Sequence, residues 1–452
     1  GGTLLAIVAF ILYGIFFGEQ RADPEAYCPF GGLQAIGSYL HNNSLACSMS
    51  MAQIMMGVVL AVGVILFSKL FCGYLCPLGT IGEYLGKGGR KLKMNFDLKP
   101  GGIADRGLRI VKYGLLFVVF YMSVSSSELF CKNFDPYYAM ATGFKGEITA
   151  WMTSISIVLL FLGSFFIKMF WCKYICPLGA LSNIFKFTIT FVGILLLFWL
   201  LGWAGLPSAW VWALGAACLI GYLYEMIYLR SKVFPLLRIV RDAESCNGCG
   251  SCTKKCPYHI DLKELKTVRH IDCTLCGDCV SSCPKGSLQV GGKKSLRWLP
   301  GILTIVLFVL ALILGNQWEL PTIDERWGNT EQVGEMKTFE MEGLTSIKCY
   351  GSSKAFSAKM QKVPGVYGVK TFVKRHAVVI SYDPAQTNED KIREVIFIPT
   401  IMKFSNPEPQ VDSVEVLTLG VDKLFDRMDM VYFGNILKQI PGIYGFDAEY
   451  SC

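Results

Sequence analysis

Two stretches carry cysteines at a spacing that few chemistries use. "CNGCGSCTKKCP" supplies Cys246, Cys249, Cys252 and Cys256, and "CTLCGDCVSSCP" supplies Cys273, Cys276, Cys279 and Cys283. Each run reads C-x-x-C-x-x-C-x-x-x-C-P. Three thiolates this close wrap one corner of a cubane iron–sulfur cluster, and Pro257 and Pro284 turn the chain away after the fourth. Structural zinc prefers two C-x-x-C pairs per site, which argues against it here. Such thiolates must be free, so this segment needs a reducing compartment. The 18 cysteines are therefore not a secreted disulfide framework.

A second set of thiols comes in pairs. "FCGYLCPLG" starts at Phe71 and "WCKYICPLG" at Trp171, giving Cys72 and Cys76, then Cys172 and Cys176. Four residues apart, the two thiols of a pair share one face if the helix is continuous. Free cysteine is often just a small buried hydrophobe, a reading that suits Cys218. A repeat of both thiols and the following Pro calls for a redox or metal role. The upstream loops add Cys28 in "FGEQRADPEAYCPFGGL" and Cys131 in "SELFCKNFDPYYAM", with Cys47 nearby. A duplicated two-span unit, about 1–80 and 108–180, brings equivalent positions together across a pseudo-twofold axis. Cys72, Cys76, Cys172 and Cys176 are then expected at one membrane face, and Cys28 and Cys131 at the other. Soft thiolates select copper(I), zinc or iron–sulfur. A third cluster, a copper site and a dithiol relay all fit.

These residues must be positioned by membrane helices. Mean hydropathy is +0.42 and only 17% of the 452 residues are charged, too apolar for one soluble domain. A span needs about 20 mainly apolar residues. Seven candidates are 3–18, 50–71, 108–126, 148–170, 187–204, 208–229 and 298–315, of which the fifth and sixth form a tight hairpin. The chain does not begin with Met and opens inside an apolar run, so further sequence is expected before Gly1. No small-residue cleavage site follows that run, and a cleaved signal peptide is not expected. Lys87, Arg90, Lys91, Lys93, Lys99, Arg106, Arg109 and Lys112 crowd one segment, and Arg230, Lys232, Arg238 and Arg241 follow span six. The positive-inside rule then puts 72–107, 171–186 and 230–297 in the cytoplasm and 316–452 on the far side, the periplasm in a bacterium. The net charge of +8 is absorbed by topology and lipid head groups, and no nucleic-acid partner is expected. The four histidines, His41, His259, His270 and His376, all lie outside the spans, so a bis-histidine transmembrane haem is not expected. Tyr74, Tyr174 and Trp171 read as interfacial anchors.

Residues 241–292 resemble bacterial two-cluster ferredoxins. In that pattern the fourth Cys of each run ligates the other cluster. Cluster one takes Cys246, Cys249, Cys252 and Cys283; cluster two takes Cys273, Cys276, Cys279 and Cys256. Over about 1–315, the two C-x-x-x-C-P-L-G copies and the double four-Cys run resemble the membrane polyferredoxins of the NapH/MauN/NosR type. That family includes the cytochrome-oxidase-assembly ferredoxin that reduces copper. The resemblance implies electron transfer between the quinone pool or cytoplasm and a periplasmic partner, or reduction of a metal ion. It carries the membrane motif onto Cys72, Cys76, Cys172 and Cys176. The flavin-attachment loop of the NosR-type members is not visible.

After the seventh span the chain resembles a heavy-metal-associated domain, a ferredoxin-like βαββαβ fold, over 335–403. Such domains bind copper(I) through G-M-T-C-x-x-C. Here Ser346 replaces the first Cys and only Cys349 remains. A partial second copy, 410–452, repeats Val363-Pro364-Gly365-Val366-Tyr367-Gly368 as Ile440-Pro441-Gly442-Ile443-Tyr444-Gly445. It lacks its last strand, so sequence is expected after Cys452. Both copies read first as docking modules.

The expected molecule is thus an α-helical integral membrane bundle of about seven spans in the bacterial inner membrane. It comprises a membrane domain 1–230, a cytoplasmic two-cluster ferredoxin insert 241–292, a seventh span 298–315 and periplasmic α+β domains. It carries electrons, holds two 4Fe–4S clusters, and meets lipid and a periplasmic redox or metal-carrying protein, with quinone as a further partner. A copper(II) reductase and a structural subunit of a larger membrane complex are the alternatives.

Overall fold

The computed structural model describes residues 28–42, 51–96, 98, 101–126, 130–141, 144, 148–205, 210–227, 236–263, 265–317, 320–328, 336–347, 350–373, 375–397, 400–405, 414–420, 433–437 and 439–450. The first expected span, Cys47 and Cys349 lie outside them. The chain divides into two units, one holding 51–318 and most of the preceding residues, the other 319–452 with a short segment, 38–50.

In the first unit, helix α1 (Pro29–Asn42) precedes α2 (Met51–Leu66), short α3 (Leu70–Tyr74), α4 (Pro77–Lys91) and α5 (Ile103–Ser126). The second copy repeats this plan. Short α6 (Pro136–Ala141) precedes α7 (Ala150–Val158), which continues through a π-helical turn at Leu159–Gly163 to Phe166. A second π-helical turn, Trp171–Ile175, leads into α8 (Pro177–Lys186). Then come α9 (Thr188–Trp203) and α10 (Trp210–Ile227).

The apolar runs are shorter as helices than as sequence. The run 50–71 breaks after Leu66, where Ser68 takes φ +107°, and the run 148–170 breaks after Phe166, where Met169 takes φ +56°. Left-handed backbone at non-glycine residues is strained and ends a helix. Among the described residues, three helices, Ile103–Ser125, Trp210–Ile227 and Leu296–Gly315, are long and apolar enough to cross a membrane. The pair α8 and α9, bent by 91°, makes a fourth, and the helices at 53–66 and 150–166 are shorter apolar helices. Helix α9 buries none of its residues, and Trp203 is 81% exposed. A face that apolar marks contact with lipid rather than water.

The insert between α10 and the next helix contains β1 (Ile239–Arg241), short α11 (Ser251–Lys255), β2 (Thr267–Val268), short α12 (Asp278–Ser281) and β3 (Leu288–Val290). Its antiparallel sheet has the order β2-β1-β3. Helix α13 (Leu299–Gln317) then packs along α2.

In the second unit, β4 (Ile323–Arg326), β5 (Lys337–Met341), α14 (Tyr350–Met360), β6 (Val366–Phe372), β7 (Ala377–Tyr382) and α15 (Glu389–Phe397) follow in order. The sheet order is β4-β6-β7-β5, all antiparallel. Phe339, Ile347, Phe356, Met360, Ile380 and Ile392 form its core. The expected fourth strand of the module does not join this sheet. Instead β8 (Thr400–Ser405) pairs with β9 (Gly445–Tyr450), which follows Gly442. Gly365 and Gly442 take φ +85° and +89°, so the two P-G turns repeat in conformation. The boundary expected at 403 therefore falls inside a strand shared with the second copy.

Candidate iron–sulfur and membrane thiol centres

The two four-Cys runs fold into pseudo-equivalent loops. Gly250 and Gly277 take φ +71° and +81° and start α11 and α12, so each loop turns back on itself before its third thiol. The fourth thiols, Cys256 and Cys283, close the runs from the far ends of these helices. One cavity is lined by Cys246, Cys249, Cys252 and Cys283, together with Arg241 and Asn247. Another is lined by Cys256, Cys273, Cys276 and Cys279, together with Ile239, Ile260, Leu262 and Val268. Each cavity thus gathers three thiols of one run and the fourth of the other.

The two cavities differ in setting. Cys249 is exposed, whereas Cys256 and Cys279 are buried. The amide of Gly248 and the guanidinium of Arg241 lower the pKa of Cys246. At Cys283 burial acts upward, but the amides of Ser287, Leu288 and Lys285 outweigh it and the net shift is down. Burial pushes Cys276 up to about 12. Four thiols, an apolar wall and amides aimed at sulfur suit an anionic iron–sulfur cluster in either place. A bound cluster supplies one-electron transfer.

Side chains from the membrane helices hold the second cavity's loops. Lys168 Nζ donates to the Cys256 carbonyl at 2.8 Å. Lys186 Nζ donates to the carbonyls of Ile271 and Cys273 at 2.7 and 2.9 Å. Ser68 donates to the Cys273 carbonyl at 2.8 Å and Tyr74 to the Leu275 carbonyl at 3.1 Å. Beside them, Arg109 reaches Asp272 of the insert at 2.9 Å, Asp105 at 3.2 Å and Glu225 of α10. Glu225 also accepts from Lys112 at 2.8 Å, Tyr113 at 2.6 Å and Asn183 at 2.7 Å. Buried charges persist when paired and fully hydrogen-bonded in this way. Burial lowers neighbouring His270 to about 4, leaving it neutral at pH 7.

This network corrects two expectations. Arg109 and Lys112, counted above as topogenic surface charges, are only 2% and 1% exposed. Tyr174 and Trp171, read as interfacial anchors, are buried, and Tyr174 donates to Asp105 at 2.6 Å. The signal was present in the sequence as Arg, Lys and Glu set inside or beside apolar runs.

The membrane thiols are also arranged differently from expectation. Cys72 and Cys76 do not share a continuous helix face. Cys76 and Cys176 are extended, at ψ 117° and 113°, and each immediately precedes a new helix. A residue before Pro is pushed out of the helical region, so Pro77 and Pro177 enforce the break. The chain folds back so tightly that a Cβ on Gly79 would sit 3.1 Å from the Cys72 carbonyl, and one on Gly179 3.0 Å from that of Cys172. Cys76 comes within electrostatic reach of Cys72, Cys172 and Cys176. Among the described residues, no three His, Cys, Asp or Glu side chains are close enough to hold a single metal ion.

Cys28, expected apart from the inner thiols, does not stand apart from Cys176. Cys28 lies within reach of both Cys176 and Asp135, and Asp135 within reach of Cys176. The start of α1 packs tightly on α2, since a Cβ on Gly57 of α2 would lie 3.0 Å from the Pro29 carbonyl. Cys28-Pro29 opens α1 and Asp135-Pro136 opens α6. The structural equivalent of Cys28 is therefore Asp135, and Cys131 sits buried in the preceding 3-10 turn.

A family model described as a 4Fe-4S binding domain matches residues 49–95 and 149–189, and one described as a 4Fe-4S dicluster domain matches 238–284. The chain is 29% identical over 257 residues to the putative electron transport protein YccM of Escherichia coli (strain K12), covering 55% of this chain and 58% of that one. It is 34% identical over 127 residues to the regulatory protein NosR of Stutzerimonas stutzeri, covering 27% and 17%. It is 31% identical over 119 residues to the ferredoxin-type protein NapH of Haemophilus influenzae, covering 26% and 38%. These matches liken the chain to polyferredoxins of the NapH/NosR type. The chain spans little more than half of YccM and smaller parts of NosR and NapH. No solved structure matches it. The first family model covers both paired-thiol motifs, and the second covers all eight cysteines of the insert.

Proposed function

We propose that this iron–sulfur electron-transfer protein carries electrons between a cytoplasmic donor or acceptor and a thiol-held centre in the bacterial inner membrane. Cys246, Cys249, Cys252 and Cys283 hold cluster one; Cys256, Cys273, Cys276 and Cys279 hold cluster two. Cys72, Cys76, Cys172 and Cys176 hold a third centre, which we read as a further iron–sulfur cluster. A cubane spaces its ligands more widely than a single ion does, which favours it over mononuclear copper. The 4Fe-4S family description over both motifs adds support.

One observation carries the reading. Cys172 and Tyr74 of the membrane motifs pack into the same apolar core as Cys256, Cys273 and Cys279 of the insert. Seven spans, a cytoplasmic insert and a periplasmic second unit complete the proposal. The second unit's β5-α14-β6-β7-α15 order supports a heavy-metal-associated-type module, which we assign to docking a periplasmic redox or metal-carrying partner.

Metal analysis of the purified protein tests this. About twelve iron atoms per chain are expected, falling to about eight in Cys72→Ala/Cys172→Ala. Bound copper lost in that double variant would favour metal handling instead. Full electron transfer with all metal retained would refute the thiol assignment.

A further inference from the structure

The insert sends one side chain into the membrane thiol group. Tyr258 stands two residues after Cys256 and is 9% exposed. It belongs to the core that contains Cys172, Tyr74 and Met169. Its ring faces Lys173 Nζ at 6.0 Å from the centroid. Its hydroxyl lies within hydrogen-bonding reach of the Cys172 sulfur, and Cys72 and Cys76 are near enough to act on it electrostatically. Its ring also lines the cavity of Cys256, Cys273, Cys276 and Cys279.

We propose that Tyr258 is a positioning residue for electron exchange: it donates a hydrogen bond to the Cys172 sulfur and so favours the reduced, more negative state of the centre that the membrane thiols hold. This rests on the reading of those thiols given above. A hydrogen bond to a ligand sulfur stabilises the negative charge that reduction adds, which raises a centre's potential. No bond to iron is made or broken, and no proton need leave the phenol. Because Tyr258 follows Cys256 by only two residues, a shift of the cluster-two loop also moves this donor. The insert therefore both docks on the membrane thiols and tunes them.

The test is Tyr258→Phe in the full chain, which removes one oxygen and keeps the ring. An anaerobic redox titration followed by electron paramagnetic resonance reads each centre separately. The expected result is a roughly tenfold loss in the reduced-to-oxidised ratio of the membrane centre at fixed potential, with clusters one and two unmoved. An unchanged membrane centre, or an equal shift in cluster two, would overturn the proposal. If the unsubstituted protein holds about eight irons and shows no third signal, the membrane centre itself is refuted. The contact is then read on Cys172 as a plain thiol. Iodoacetamide should alkylate it several-fold more slowly in Tyr258→Phe, because the lost bond favoured the thiolate; equal rates overturn the contact.

Discussion

At the residue scale, two glycines set the geometry of the membrane thiols. Gly79 and Gly179 each lie against the carbonyl of the first Cys of their own motif. A methyl group there meets backbone, which cannot step aside as a flexible side chain can. We expect Gly79→Ala/Gly179→Ala to cost about 1–3 kcal/mol per site and to release the iron of the membrane centre. The eight cysteines of the insert should keep theirs. Iron counts and ferredoxin-type spectra check this, and a double variant with unchanged iron would remove the role given to these turns. The eight cysteines were legible in the sequence because their spacing is local. The partner of Cys28 was not, because like was matched with like. The shared feature is the position before Pro, which in one copy is Cys28 and in the other Asp135.

At the scale of elements, the insert is held by long cationic side chains rather than by apolar contact alone. Lys168 comes from the end of the broken α7 segment and Lys186 from the last turn of α8, and both reach loop carbonyls that carry cluster-two cysteines. Replacing both by Met keeps their length and leaves those carbonyls without a partner, at about 1–3 kcal/mol for each unsatisfied group. The expected outcome is a cluster two that is lost early on exposure to oxygen, while cluster one decays at its former rate. Spectra recorded during air exposure distinguish the two; parallel decay of both clusters would contradict the docking role. Hydropathy located the apolar runs but not their ends. Ser68 and Met169 break them through backbone conformations that no residue type signals. The buried ion network was visible only as misplaced charges, since Arg109, Lys112 and Glu225 meet Asp272 through tertiary contact.

At the scale of the whole molecule, the two units rest on different physics. The first unit is ordered by lipid-facing helices and buried polar clamps. The second is a small α+β unit with its own core and a partly exposed charge clamp between β4 and α14. There Glu325 accepts hydrogen bonds from Lys354 and from Ser357, the latter at 2.6 Å. Burial acts to raise the Glu325 carboxyl, but the bonds from Lys354 and Ser357 outweigh it, and its pKa ends below the usual carboxylate value. A carboxyl depressed in the folded state stabilises fully above its unfolded value of about 4.3. That contribution disappears as pH falls through the lower, folded value. The group is partly exposed, so solvent screening limits the effect to about 0.2–1 kcal/mol. If this unit faces the periplasm, it meets the pH of the medium directly. Pepsin, active in acid, provides the measurement on the full chain. Cleavage within 323–360 should increase between about pH 5 and pH 3, relative to cleavage elsewhere in the unit. In Glu325→Gln it should already be raised at the upper pH and change little. An identical pH response in the two proteins would show that the clamp between β4 and α14 adds nothing to the unit's stability.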